Sequence, residues 1–388
     1  MCRQCVGVGG LFAGVASTAQ TQLEPTDKIF PSSPDGPRFK RPAIETDEGG
    51  LWALMDREER RLRRSPFVVR DAALNKYVHE LACRLTGSHC PDIRVHIVRT
   101  PLFNASMAPN GMMQLWSGLL LRVENEAQLS AVVGHELGHY LERHTLERLR
   151  DAKSRAAFAQ FVGLFGAAGS LVQLGVLASA FAFSREQEVR ADILGVHMMQ
   201  RAGYEGQQAA RVWDNLLGEM KIRGGDDVGK NNPMTATHPP TETRRDDLLR
   251  LAGEGAGETG QQAFEQIIGP HRFDWLRDEI KRGQFEESMV LFNRMLTTKP
   301  NDPELLYSRA ETQRLRAGEQ DIQGALNDLQ RVTVMDRAPA EAFRSLGLLQ
   351  RQRSDRTSAV QAFETYLKVA PDAADASLIQ NILSELRS

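Results

Sequence analysis

Cysteine is scarce. Four in 388 residues are too few for a disulfide-dense scaffold. An excess of either charge is missing as well: 48 Lys and Arg stand against 50 Asp and Glu, for a formal net charge of -2, so nothing suggests a polyanion-binding surface. Long apolar runs are few, and a mean hydropathy of -0.38 argues against a polytopic membrane protein, leaving one uncharged stretch, 156–183, to be accounted for. What the chain does have is length, about twice that of a typical domain, and an ordinary soluble composition with 41% hydrophobic and 25% charged residues. Two or more folded units are expected.

The first residues carry Cys2, Arg3 and Cys5, then a small-and-apolar run from Val6 to Ala16 followed by Ser17, Thr18 and Ala19. This pattern predicts a signal peptide over 1–19. No cysteine follows the apolar run, which argues against a lipoprotein. Export would leave Cys83 and Cys90 as the remaining thiols, close enough in sequence to be a candidate disulfide in an oxidising compartment; two free buried cysteines are the alternative.

Residues 20–47 hold a proline-rich polar segment and read as a flexible lead-in. Helical spacing of apolar residues then predicts helices over 51–64 and 72–85, and two short strands follow over 93–98 and 112–116, separated by a polar loop. A helix over 128–149 with Asn125 as its cap presents Leu129, Val132, Val133, Leu137 and Leu141 on an inward face. Further helices are expected over 185–201 and 211–221, a loop over 224–243, and a glycine-rich boundary near 253–262. Beyond it, Phe343, Gly347, Ala359, Phe363, Tyr366 and Pro371 fall on the 34-residue tetratricopeptide spacing. Gly283, Phe285, Ser288, Phe292 and Pro300 give an earlier copy, and a middle copy fits only with two or three inserted residues near Gly318. Stacked helix pairs of this kind share a core and leave a groove suited to protein segments; a plain helical bundle is the alternative.

The long helix contains His135, Glu136, Leu137, Gly138 and His139, an H-E-x-x-H pattern. Histidines four apart on a helix share a face and suit two ligands of a tetrahedral zinc, with Glu136 beside the open position. The extended form with a third histidine is excluded, because Glu142 and Thr145 occupy its places. In Ser184-Arg185-Glu186-Gln187-Glu188-Val189-Arg190-Ala191-Asp192, Glu188 and Asp192 are again four apart. Glu188 is the candidate third ligand and Asp192 the support for a ligating histidine; Glu186 lies about 200° round the helix from Glu188. His144 and His197 lack ligand spacing and read as structural.

These motifs resemble the zinc metalloprotease family that includes HtpX, the CAAX prenyl protease and the exported, repeat-bearing BepA proteins. The helix with H-E-x-x-H is followed by S-R-x-x-E-x-x-A-D, here Ser184, Arg185, Glu188, Ala191 and Asp192. The resemblance spans about 50–250 and implies that His135, His139 and Glu188 bind one zinc ion, that Glu136 is the general base and that Asp192 supports. It also implies that Asn104 and Ala105 form the substrate edge and that Thr237-His238-Pro239 with Arg244 is a motif of the exported members. Arg244 is a candidate for transition-state or structural support. His238, in a loop able to take more than one position, is a candidate fourth, regulatory zinc ligand of a resting form; a helix-capping or carboxylate-bound histidine and an oxyanion donor are the other readings.

Geometry constrains the segment 156–183. As one straight helix it would span about 42 Å, yet it is flanked by His139 and Glu188, which must meet at one ion. It must double back, most simply near Gly166 and Gly169, as a hairpin beside the site with a candidate peripheral membrane contact.

The expected fold is therefore mainly α: an α+β zincin-type metalloprotease domain with a small β-sheet over 48–252, a linker over 253–270, and a tetratricopeptide-repeat superhelix over 271–388. The expected function is zinc-dependent endoproteolysis of misfolded or stalled cell-envelope proteins in a Gram-negative periplasm, with the repeats recruiting clients or assembly partners and no role for nucleic acid. The rival expectation is a chaperone-like or scaffold binding protein with a latent or structural zinc.

Overall fold

The computed structural model describes residues 36–151, 183–222, 238–239 and 241–388. The expected leader, most of the lead-in, all but the last residue of 156–183, and Thr237 lie outside the described residues. Among those described, no helix is long and apolar enough to cross a membrane.

Helix α1 (Asp47–Leu62) begins where Thr46 accepts a hydrogen bond from the Gly49 amide, and α2 (Ala72–Thr86) is capped in the same way by Asp71. Both use the side-chain oxygen to satisfy an otherwise orphaned first-turn N–H. A 3₁₀ segment (Gly87–Asp92) follows, and a disulfide joins Cys83 to Cys90 across this junction.

The sheet has three strands where two are expected. Strand β1 (Arg94–Val98) pairs in parallel with β3 (Met112–Trp116), and β2 (Ala105–Met107), inside the predicted loop, pairs antiparallel with β3. The order β1-β3-β2 makes β2 an edge. At three residues, β2 is too short for an alternation signal.

Helix α3 (Ser117–Arg122) leads to α4 (Glu126–Leu141), whose cap Asn125 accepts from the Gln128 amide at 2.9 Å. The sequence predicts an amphipathic helix here, but all of α4 except Ala131 is buried; it is the central helix, enclosed on every side. It also ends early. Arg143 takes a left-handed conformation (φ 57°) and α5 (His144–Asp151) starts in a new direction.

Helix α6 (Arg185–Arg201) opens with a capping box between Ser184 and Gln187. It lies against α4 in backbone contact. A Cβ placed on Gly138 would sit 2.8 Å from the Ala191 carbonyl oxygen, and one on Gly195 would sit 2.8 Å from the His135 amide nitrogen. Only residues without a side chain permit this approach. Helices α7 (Gln208–Lys221) and α8 (Glu242–Ala252) complete this part.

The next helix, α9 (Gln261–Lys281), starts within the segment read as linker and packs on α2, α3 and α4. One apolar core runs from Leu74 to Leu349. Buried ion pairs reinforce the junction: Arg122 meets Glu219 on α7 at 2.7 Å and Glu279 on α9 at 2.9 Å, and Arg294 also reaches Glu219 at 3.0 Å. Burial alone would disfavour these charges, but the two carboxylates raise the Arg122 pKa on balance, and Arg122 with Arg282 keeps that of Glu279 low. Six further helices follow, α10 (Phe285–Thr298), α11 (Pro303–Arg316), α12 (Glu319–Val332), α13 (Ala340–Gln352), α14 (Arg356–Val369) and α15 (Ala376–Arg387). From α10 to α12 the starts are 34 residues apart, and from α12 to α14 they are 37 apart. The extra length lies in the connection 333–339 rather than near Gly318.

If the glycine contact sets the α4–α6 spacing, Gly195→Val should cost about 1–3 kcal/mol by overpacking and weaken metal retention, because Glu188 rides on α6. Gly50→Ala, on α1 with nothing within 4 Å, should leave both unchanged or raise stability slightly. Thermal unfolding and metal content of the purified variants check this; a Gly195→Val protein with unaltered metal content and melting would contradict it.

Candidate metal centre

Four buried side chains from separate parts of the fold bring one ligand atom each to a common point: His135 and His139 from α4, Glu188 from α6, and His238 from just before α8. His135 Nε2 lies 3.0 Å from His139 Nε2 and 3.1 Å from His238 Nδ1. Glu188 Oε1 is 2.7 Å from His238 Nδ1 and 3.3 Å from His139 Nε2. Four donors held tetrahedrally at 2.0–2.1 Å from an ion would be about 3.3–3.4 Å apart. The observed separations, 2.7–3.3 Å, reach up to that value from below.

The protonation pattern makes the same point. His135 Nδ1 is 2.8 Å from Asp192 Oδ1, a contact that selects the tautomer with the proton on Nδ1 and leaves Nε2 as the metal-binding nitrogen. His139 Nδ1 is 2.8 Å from His144 Nδ1; burial pushes His144 down to about 4, with Arg190 adding to the effect, so His144 is neutral and able to accept a hydrogen bond from His139 Nδ1. Burial holds the His139 imidazole neutral, and with Nδ1 donating to His144 its Nε2 offers a lone pair. In these tautomers two lone pairs face each other at 3.0 Å, an arrangement that a cation between them would satisfy. The donor set fits a divalent cation of the zinc type.

Behind the ligands stands Arg244. Its guanidinium pairs with both oxygens of Asp192 at 2.7 Å, lies 2.9 Å from Glu188 Oε2 and stacks 3.9 Å over the Trp213 ring. Burial is the largest single influence and raises both carboxyl pKa values, but Arg244 and His135 together outweigh it at Asp192, and His238, His139 and His135 together outweigh it at Glu188, so both acids stay ionised. Arg244 thus contacts the carboxylates, which suits support of the ligands. Glu186 is exposed, on the other side of α6 from Glu188.

Glu136 is buried, with Oε1 lacking a hydrogen-bond partner among the described residues and His238 Nε2 at 3.7 Å. Ala105 lies on the edge strand β2, and Asn104 precedes it, buried, with its carbonyl accepting from the Trp116 amide at 3.0 Å. Met107, at the end of β2, lines a small pocket with His139. The Cys83–Cys90 disulfide is not part of this cluster.

Three contacts escaped the sequence reading. His144 is not merely structural: it bonds the distal nitrogen of His139. On an unbroken helix it would lie about 140° round from His139, and only the break at Glu142 and Arg143 turns it back. Phe183 stacks on His139 at 3.9 Å between ring centroids, and Trp213 carries Arg244. Neither aromatic belongs to a spacing motif. Replacing His144 with Leu should weaken zinc affinity about 10–100-fold, the usual effect of losing such a partner, with far-ultraviolet circular dichroism unchanged. Competition with a chromophoric chelator measures it, and unaltered affinity would return His144 to a purely structural role.

Residues 69–252 match the family described as Peptidase family M48. The chain is 27% identical over 212 residues to the beta-barrel assembly-enhancing protease of Escherichia coli (strain K12), covering 50% of this chain and 42% of that protein. It is 28% identical over 218 residues to the protein of that name from Yersinia pestis, covering 52% and 44%. To the mitochondrial metalloendopeptidase OMA1 of Arabidopsis thaliana it is 29% identical over 180 residues, covering 44% and 36%. The alignments thus span less than half the length of each of these relatives. With the H-E-x-x-H helix, the Glu188 helix and the convergent donor set inside the matched region, residues 69–252 are a domain of Peptidase family M48.

Proposed function

We propose that the chain is a zinc-dependent endopeptidase that rests in a closed state. The observation carrying this is Glu136: a buried carboxylate with one oxygen unpartnered among the described residues, next to a cluster of four convergent metal donors. A structural metal site has no use for such a group. When bound, zinc would polarise the scissile carbonyl and acidify a water molecule. Glu136 takes the proton from the attacking water and delivers it to the leaving amine. His135, His139 and Glu188 hold the ion, while Asp192, Arg244 and His144 keep the ligands oriented. An extended substrate adds to the free edge of β2 beside Ala105.

His238 supplies the regulation in this reading. Catalytic zinc sites keep a position open, whereas a four-ligand set is closed. With His238 Nδ1 at the donor cluster, Glu136 faces a histidine in place of a water. Catalysis therefore requires the loop bearing His238 to withdraw, and the closed set is also what gives the rival, chaperone-like reading its footing.

The relatives' names and the sequence support a broader role. We place the protein in the periplasm of a Gram-negative bacterium, exported by the segment 1–19, where misfolded or stalled envelope proteins are its clients. The disulfide is compatible with an oxidising compartment. Helices α9 to α15 act as the tetratricopeptide-type array that recruits clients or assembly partners, and 156–183 provides a peripheral membrane contact.

On an unfolded protein substrate, Glu136→Gln should retain one zinc per chain and lose at least about a hundredfold in cleavage rate, while His238→Ala should cleave faster than wild type. Undiminished cleavage by Glu136→Gln would overturn the endopeptidase assignment; slower cleavage by His238→Ala would overturn the latch alone.

A further inference from the structure

A cleft of about 430 Å³ lies outside the metal centre, against α1 and the β2–β3 turn. Arginines dominate its wall. Arg63 and Arg94 both pair with Glu59, at 2.8 and 2.7 Å, and Glu59 also receives His96 at 2.9 Å, so one carboxylate serves three basic groups. Arg38 is paired with Asp92 and Arg41 with Asp56. Arg60, exposed on α1, has no carboxylate partner among the described residues. Five guanidinium groups against three carboxylates leave the cleft short of negative charge.

Its position relative to the metal is equally specific. Phe39 and Trp52 line both this cleft and the small pocket containing His139, Met107 and Pro109. Along the chain, Met107 ends β2, Pro109 follows in the pocket beside His139, and Asn110 lines the arginine cleft. A peptide lying on the free edge of β2 and continuing past Pro109 therefore passes from the metal centre to the arginines. We infer that this cleft is a substrate subsite for a carboxylate of the peptide, either an acidic side chain or the chain terminus. The inference rests on the endopeptidase reading for the identity of its ligand.

The discriminating experiment uses the full chain and one unfolded peptide. In one series each position around the scissile bond is changed in turn from Gln to Glu; in the other the C-terminus is free or amidated. Wild type should prefer the acidic form by about tenfold in kcat/KM, in line with a charge-assisted hydrogen bond, at a single position of the scan or at the free terminus. Arg60→Glu should abolish that preference and leave cleavage of the all-Gln amidated peptide unchanged. Equal kcat/KM for every acidic and neutral pair, or a preference that survives both Arg60→Glu and Arg63→Gln, would overturn the subsite. If no peptide is cleaved by wild type or by His238→Ala, the endopeptidase reading fails by itself; equilibrium binding of the same peptides to Glu136→Gln then decides the subsite, with equal Kd values overturning it.

Discussion

The backbone contact between α4 and α6 is the constraint on which the rest of the site depends. Helices with ordinary side chains at their interface pack 8–10 Å apart. Gly134, Gly138 and Gly195 remove those side chains where the helices cross, and Ala191 is the small partner. The approach delivers the Glu188 carboxylate to the two histidines of α4 and puts Asp192 one turn further along, on the far nitrogen of His135. The same close packing explains why α4 is buried on nearly every face.

Charge is handled in layers around this contact. Three histidines and a carboxylate converge at the centre, two of the histidines with lone pairs directed inward. Asp192 and His144 fix the tautomers of His135 and His139 from outside. Arg244, held between Trp213 and the two acids, helps to keep Asp192 ionised in surroundings that would otherwise favour protonation, as the histidines do for Glu188. A separate buried cluster, Arg122 with Glu219 and Glu279, joins α3 and α7 to the first C-terminal helix. Because removing one member would leave unpaired buried charge, the helical array is tied to the M48 domain rather than trailing from it.

Much of this was legible in the sequence because it rests on local periodicity. A spacing of four residues put His135 with His139 and Glu188 with Asp192, and the Asn125 cap came from capping chemistry. Other features were not legible, since they depend on tertiary placement or on single backbone angles. Strand β2 is too short to alternate. The Arg143 left-handed turn, which brings His144 to His139, has no glycine to announce it. The expected linker conceals the start of α9, whose apolar residues Phe264 and Ile268 are buried in the shared core. His238 could be suspected from its motif, but its meeting with Glu188 joins residues 50 positions apart.

The central claim is that His135, His139, Glu188 and His238 converge on one metal ion. X-ray absorption at the zinc edge on the full chain loaded with one equivalent tests it without reliance on activity. The account predicts a four-coordinate shell of three imidazole nitrogens and one carboxylate oxygen at about 2.0–2.1 Å, falling to two imidazoles in His238→Ala. A sulfur scatterer, an all-oxygen shell, or an imidazole count unchanged by His238→Ala would contradict it.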